Sequence, residues 1–150
     1  MITSGYASSA WDGARASRAA LVSGLAQRWS QLRGLGIPVA AVADSPLSPN
    51  DLDVCTARAP HRLSTCAFDR APAVAGSGQP EQRLAAAQSG TPLIDLTPWI
   101  CPVDRCPVAI GHVTVHRSGD HLTATYVRTL AAVLGEALDR AHLGQRAPLR

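Results

Sequence analysis

Short apolar runs alternate with helix-period segments along this chain, and that alternation constrains its fold more than any other feature. Over residues 17–34, Ala20, Leu21, Leu25, Trp29 and Leu32 recur near helical spacing, and Gly34 and Gly36 follow as a helix stop. The run Ile37-Pro38-Val39-Ala40-Ala41-Val42-Ala43, ended by Asp44-Ser45-Pro46, reads as a buried parallel strand. Pro38 stands at its start, where a missing N–H donor is tolerated. Residues 79–88 are predicted as a short helix with Pro80 in the first turn, and Thr91-Pro92-Leu93-Ile94-Asp95-Leu96 as a second strand. Residues 108–115 form a short strand or an extended arm. Residues 122–141 are predicted as one closing helix: Tyr126, Leu130, Val133, Leu134, Ala137 and Leu138 share a stripe that Arg128, Glu136, Asp139 and Arg140 largely avoid. This order is that of a doubly wound α/β sheet. Two or three strands are few for such a sheet, so the expectation is a partial α/β domain lacking its N-terminal strands.

The connecting stretches carry the cysteines. Residues 45–78 hold much of the Pro, Ser and Gly together with Cys55 and Cys66, and read as a long irregular loop of the kind that is usually functional or stapled. Residues 98–107 form a Pro-punctuated loop with Cys101 and Cys106. Four cysteines permit three connectivities, and the sequence does not choose among them. An even count in Pro-rich loops favours disulfides and an oxidising compartment. A Cys101–Cys106 bridge is the stronger reading of the second pair. Its rival is a zinc set of Cys101, Cys106, His112 and His116, whose central gap of five residues is far shorter than finger spacing. Residues 1–13 lack the charged and apolar parts of a signal peptide, so an exported form implies an upstream segment.

All 14 basic residues are Arg, scattered along a chain of net charge +3. Without a basic stripe or a recognisable module, this speaks against a nucleic-acid partner. No stretch approaches the ~20 apolar residues of a membrane span, and no motif calls for a cofactor.

The sharpest chemical segment is Ser118-Gly119-Asp120-His121-Leu122-Thr123-Ala124-Thr125-Tyr126. A histidine at a helix start is kept neutral by the helix dipole, and a neutral imidazole is what a general base needs. The plainer reading is a capping loop, with Asp120 or Thr123 as the cap and His121 merely exposed. Asp95, at a strand's end, either faces a site there or caps a turn.

Ile94-Asp95-Leu96-Thr97-Pro98-Trp99-Ile100-Cys101-Pro102, Arg105-Cys106-Pro107, Ile110-Gly111 and His121-Leu122-Thr123-Ala124-Thr125-Tyr126 together resemble a known pattern. So do Gly36-Ile37-Pro38-Val39, Asp44-Ser45-Pro46, Cys55 and Cys66-Ala67-Phe68. In order and spacing, over roughly residues 5 to 142, they resemble the C-terminal half of the SGNH domain fused to membrane-bound acyltransferases of the acyltransferase type 3 family.

The resemblance implies a partial SGNH-hydrolase-like (flavodoxin-like) fold with a three-layer parallel sheet over residues 1–143 and a flexible tail over 144–150. It implies a parent that O-acylates bacterial cell-surface glycans on the outer side of the membrane. Its partners would be a glycan or acyl-ester substrate and an upstream membrane acyltransferase domain. In such domains a Ser in a Gly-Asp-Ser block is the nucleophile, His its base, and an Asp three residues earlier orients the His. His121 matches the histidine, but Ser118 stands where that Asp belongs and Asp120 is the adjacent carboxylate. Gly119-Asp120-His121 has His where the block has Ser, and no Gly-x-Ser-x-Gly elbow occurs. Ser8, Ser9 and Ser77 lack that context and read as surface or capping residues. The chain by itself is therefore expected to be inactive, or to be a degenerate glycan- or partner-binding domain.

Overall fold

Ser17 sets the first helix: its backbone is extended and its hydroxyl accepts from the Ala20 N–H at 3.1 Å, an N-cap. In this computed structural model, residues 2–3, 9–117 and 121–141 are described. In chain order they form β1 (Ile2–Thr3), β2 (Ala10–Trp11), β3 (Ala16–Ser17), α1 (Arg18–Gly34), β4 (Ala40–Val42) and α2 (Leu52–Arg58). A 3-10 turn (Leu63–Cys66), β5 (Phe68–Asp69), α3 (Arg70–Gly76), α4 (Gln79–Ser89), β6 (Leu93–Ile94) and α5 (Thr97–Ile100) follow. The last elements are β7 (Arg105–Cys106), β8 (Ala109–Ile110), β9 (Val113–Thr114), α6 (Ala124–Thr129) and α7 (Ala131–Arg140).

The expected parallel pairing is present. β1, β4 and β6 form a sheet in that order, with Ile2 opposite Ala40, Ala41 opposite Leu93 and Val42 opposite Ile94. Side chains alternate across a strand, so Val39, Ala41 and Leu93 share one face. There α1 presents Val22, Ala26 and Trp29 at four- and three-residue steps, and α4 adds Ala85 and Ala86. Small residues on both helices let them pack closely on the sheet. α4 ends at Gly90, whose φ of 64° is the left-handed cap that glycine adopts without strain.

Three expectations need correction. Residues 45–78 are not an irregular loop, because α2, the 3-10 turn, β5 and α3 all lie within them. The Cys55–Cys66 disulfide ties α2 to the 3-10 turn, and Leu52, Phe68 and Ala73 are buried around the Cys101–Cys106 disulfide and Val108. The closing helix is two helices rather than one. The Leu130 N–H bonds to Val127 three residues back, which tightens the turn, and the Thr129 hydroxyl donates to the Tyr126 carbonyl and competes for it. The stripe survives the break, with Tyr126 and Leu130 buried and Val133, Leu134, Ala137 and Leu138 half-buried. Finally, residues 108–115 are neither one strand nor an arm but a hairpin of β8 and β9, turned at Gly111 with φ 61°.

The tail over 144–150 lies outside the described residues. Among those described, no helix is long and apolar enough to cross a membrane.

Candidate active site

His121 directly precedes Leu122, which closes a second antiparallel pairing. After β9 the chain continues through Val115 and His116, and His116 pairs antiparallel with Leu122. The Arg117 N–H donates to the His121 carbonyl at 2.9 Å, and the Thr123 N–H donates to the Val115 carbonyl at 2.8 Å. These bonds fix the His121 backbone while its side chain is exposed. Thr123 does two jobs: its hydroxyl donates to the Thr114 carbonyl and accepts from the Tyr126 N–H at 3.1 Å. The cap of α6 is thus Thr123, one of the two expected candidates. This corrects the placement of His121 at a helix start, since it lies two residues ahead of the Thr123 cap, outside the first turn where the dipole acts. Ser118 and Asp120 lie outside the described residues, as does Ser8.

Leu122, next to His121, reaches the carboxyl ends of the parallel strands. It borders a cavity of about 590 Å³ together with Val42 at the end of β4, Ala43, Asp44 and Ser45 beyond it, Leu96 beyond β6, and Leu130 and Leu134. In open α/β sheets this end of the strands is where ligands bind. The Tyr126 hydroxyl donates to the Trp99 carbonyl and so fastens α6 to α5. Burial raises the Tyr126 pKa above its ordinary value.

Beside the strand ends lies a polar network that the sequence reading missed. The Asp44 carboxylate accepts the Gly78 N–H at 2.9 Å and the Ser45 N–H at 3.0 Å, and its own N–H donates to Gln82 Oε1 at 2.6 Å. The amide nitrogen of buried Gln79 donates to Thr97 Oγ1 at 2.8 Å and Asp95 Oδ1 at 3.2 Å. Asp95 also accepts the Thr97 N–H at 2.8 Å and pairs with Arg83. Of its two sequence readings, the turn cap is the observed one. Burial alone would raise the Asp95 pKa, but the Thr97 hydroxyl and amide and the Arg83 guanidinium together hold it below the usual carboxylate range. The signal was present: Gln79 and Gln82 are three residues apart and so share a helix face. Polar side chains on that face nonetheless read as solvated. Ser77 is buried rather than at the surface, and it caps locally by accepting from the Gln79 N–H and donating to the Val74 carbonyl. Ser9 is half-buried.

The second histidine of this loop is unlike His121. His116 is 4% exposed, and neither ring nitrogen has a hydrogen-bond partner among the described residues. Its ring meets Phe68 edge-on, with centroids 5.3 Å apart and planes at 65°. Burial pushes its pKa down from 6.5 to about 4. The zinc reading fails because Cys101 and Cys106 are bonded to each other, and His112 stands exposed in the β8–β9 turn while His116 is enclosed. Among the described residues no cluster of His, Cys, Asp and Glu has the arrangement of a metal site.

Comparison with known proteins gives one match. A family model described as the SGNH domain (fused to AT3 domains) matches residues 2–136. No curated protein and no solved structure matches.

Proposed function

The chain belongs to the family of SGNH domains fused to AT3 domains, and from that premise we propose that it supplies the histidine end of an acyl-transfer or ester-hydrolysis site acting on bacterial cell-surface glycans. The observation that carries this reading is the position of the His121 loop. Its Leu122 borders the cavity at the carboxyl ends of the parallel strands, and the adjacent His121 has an exposed imidazole on a backbone held through hydrogen bonds from the Arg117 and Thr123 N–H groups and the Thr123 hydroxyl.

In the proposed reaction His121 takes the proton of a serine hydroxyl as that oxygen attacks the ester carbonyl. The same histidine returns the proton to the leaving alkoxide, and an acyl-serine remains. A sugar hydroxyl or water, deprotonated in turn by His121, attacks the acyl-serine and releases the serine. The serine comes from a segment outside this chain, since no Gly-Asp-Ser block stands in it. That segment would add strands to the three described and complete a three-layer, flavodoxin-like domain. An upstream membrane acyltransferase domain would deliver the acyl group, and the two disulfides fit an extracytoplasmic, oxidising location.

One observation favours a second reading, a glycan- or partner-binding domain without turnover: Ser118 occupies the position of the orienting Asp. The two readings are separated by fusing this chain behind the Gly-Asp-Ser half of an SGNH domain and assaying hydrolysis of an activated acetyl ester. The enzymatic reading predicts turnover that His121→Ala removes and Ser118→Asp increases. Absence of turnover in both the parent fusion and its Ser118→Asp variant supports the binding reading.

A further inference from the structure

A buried histidine with two unpartnered nitrogens is rare, because enclosed polar atoms normally find a hydrogen bond. Among the described residues His116 has none, yet it occupies the position that joins two parts of the molecule. On one side its ring packs on Phe68, whose strand β5 pairs with β7 at Cys106, part of the disulfide-stapled loop. On the other its backbone pairs with Leu122, next to His121. We propose that His116 is a pH-sensitive latch: its neutral ring holds the His121 loop against the stapled β5–β7 unit, and protonation of that ring releases the loop.

The surroundings offer a proton no compensation. The ionisable side chains on the adjoining strands, Asp69 of β5 and Arg105 of β7, are exposed and paired with each other at 3.4 Å. Arg117, next along the chain, and Arg128 on α6 are exposed cations. Among the described residues no carboxylate pairs with the His116 ring. A charged imidazole there keeps its desolvation cost, and moving into water relieves it. The sign follows from linkage. A released His116 takes up its proton near 6.5, the enclosed one only near 4. The latch is therefore whole above about pH 6.5, weakens as pH falls between those values, and weakens no further below about pH 4. The consequence for catalysis rests on the role proposed for His121, whereas the release itself does not.

The test is amide hydrogen exchange in the intact chain, read at Arg117 and Thr123, whose N–H groups bond to His121 and Val115. After correction for intrinsic rates, their protection should fall roughly 70-fold between about pH 7.5 and about pH 4.5. In His116→Phe, which keeps an aromatic partner for Phe68 but cannot titrate, the fall should be absent. A fall that persists in the variant, or none in the parent chain, overturns the latch. Should the variant not fold, the ring resonances of His116 in the parent chain decide: a midpoint below about 5 supports it, and one near 6.5 refutes it. Because exchange does not depend on turnover, the latch and the catalytic role of His121 can fail separately.

Discussion

Thr123 shows how one side chain can set a site without taking part in its chemistry. It caps α6, and it ties the segment carrying His121 to β9. Removing a cap hydroxyl costs about 1 kcal/mol, and the lost bond to Thr114 adds about 1 more. Thr123→Ala should therefore lower stability by about 2 kcal/mol in denaturant unfolding; an unchanged midpoint would show that the loop is held by other contacts. Thr97 is a second such residue, since its hydroxyl meets the buried Gln79 amide. Thr97→Val removes the shortest of that amide's bonds while the Asp95 carboxylate and the Asp44 carbonyl still accept from it, and should cost about 1 kcal/mol, again read from the unfolding midpoint. His121 was singled out by its flanking pattern, whereas the isolation of His116 left no signal in the sequence. A histidine's neighbours in space, here Phe68 from 48 residues earlier, leave no mark on its neighbours in sequence.

At the scale of elements, what could be read ahead was whatever local chemistry decides. The extent of α1, the start of α4 with Pro80 in its first turn and the apolar run around β4 follow from propensity and spacing. The segment between β4 and α4 was read as irregular because its helices are short and bury their faces around sulfur rather than along a long apolar stripe. Such helices depend on their staples. Replacing Cys55 and Cys66 together by Ser should cost about 2–3 kcal/mol on chain-entropy grounds. The loss should concentrate in α2 and the 3-10 turn, where hydrogen exchange would rise while α1 and α4 stay protected. A uniform rise throughout the chain would contradict that division. The break at Leu130 escaped the sequence reading because the apolar stripe runs unbroken through it. A one-residue interruption in backbone bonding leaves the periodicity almost untouched.

For the whole molecule, a short parallel sheet covered by α1 and α4 presents its carboxyl ends to a cavity that Leu122, next to His121, borders. The sequence reading captured the α/β class, the parallel pairing and the family to which the chain belongs. It placed the histidine at a helix start, and the structure puts it two residues ahead of the Thr123 cap. The central claim is that this chain carries the base but not the nucleophile of an acyl-transfer site. The most direct measurement is hydrolysis of an activated acetyl ester by the purified chain and by its fusion to a Gly-Asp-Ser-bearing segment, each with and without His121→Ala. The account predicts no turnover above buffer from the chain alone, and turnover by the fusion that falls by about three orders of magnitude or more without His121. Hydrolysis by the chain alone, or by the fusion at an undiminished rate after His121→Ala, would contradict it.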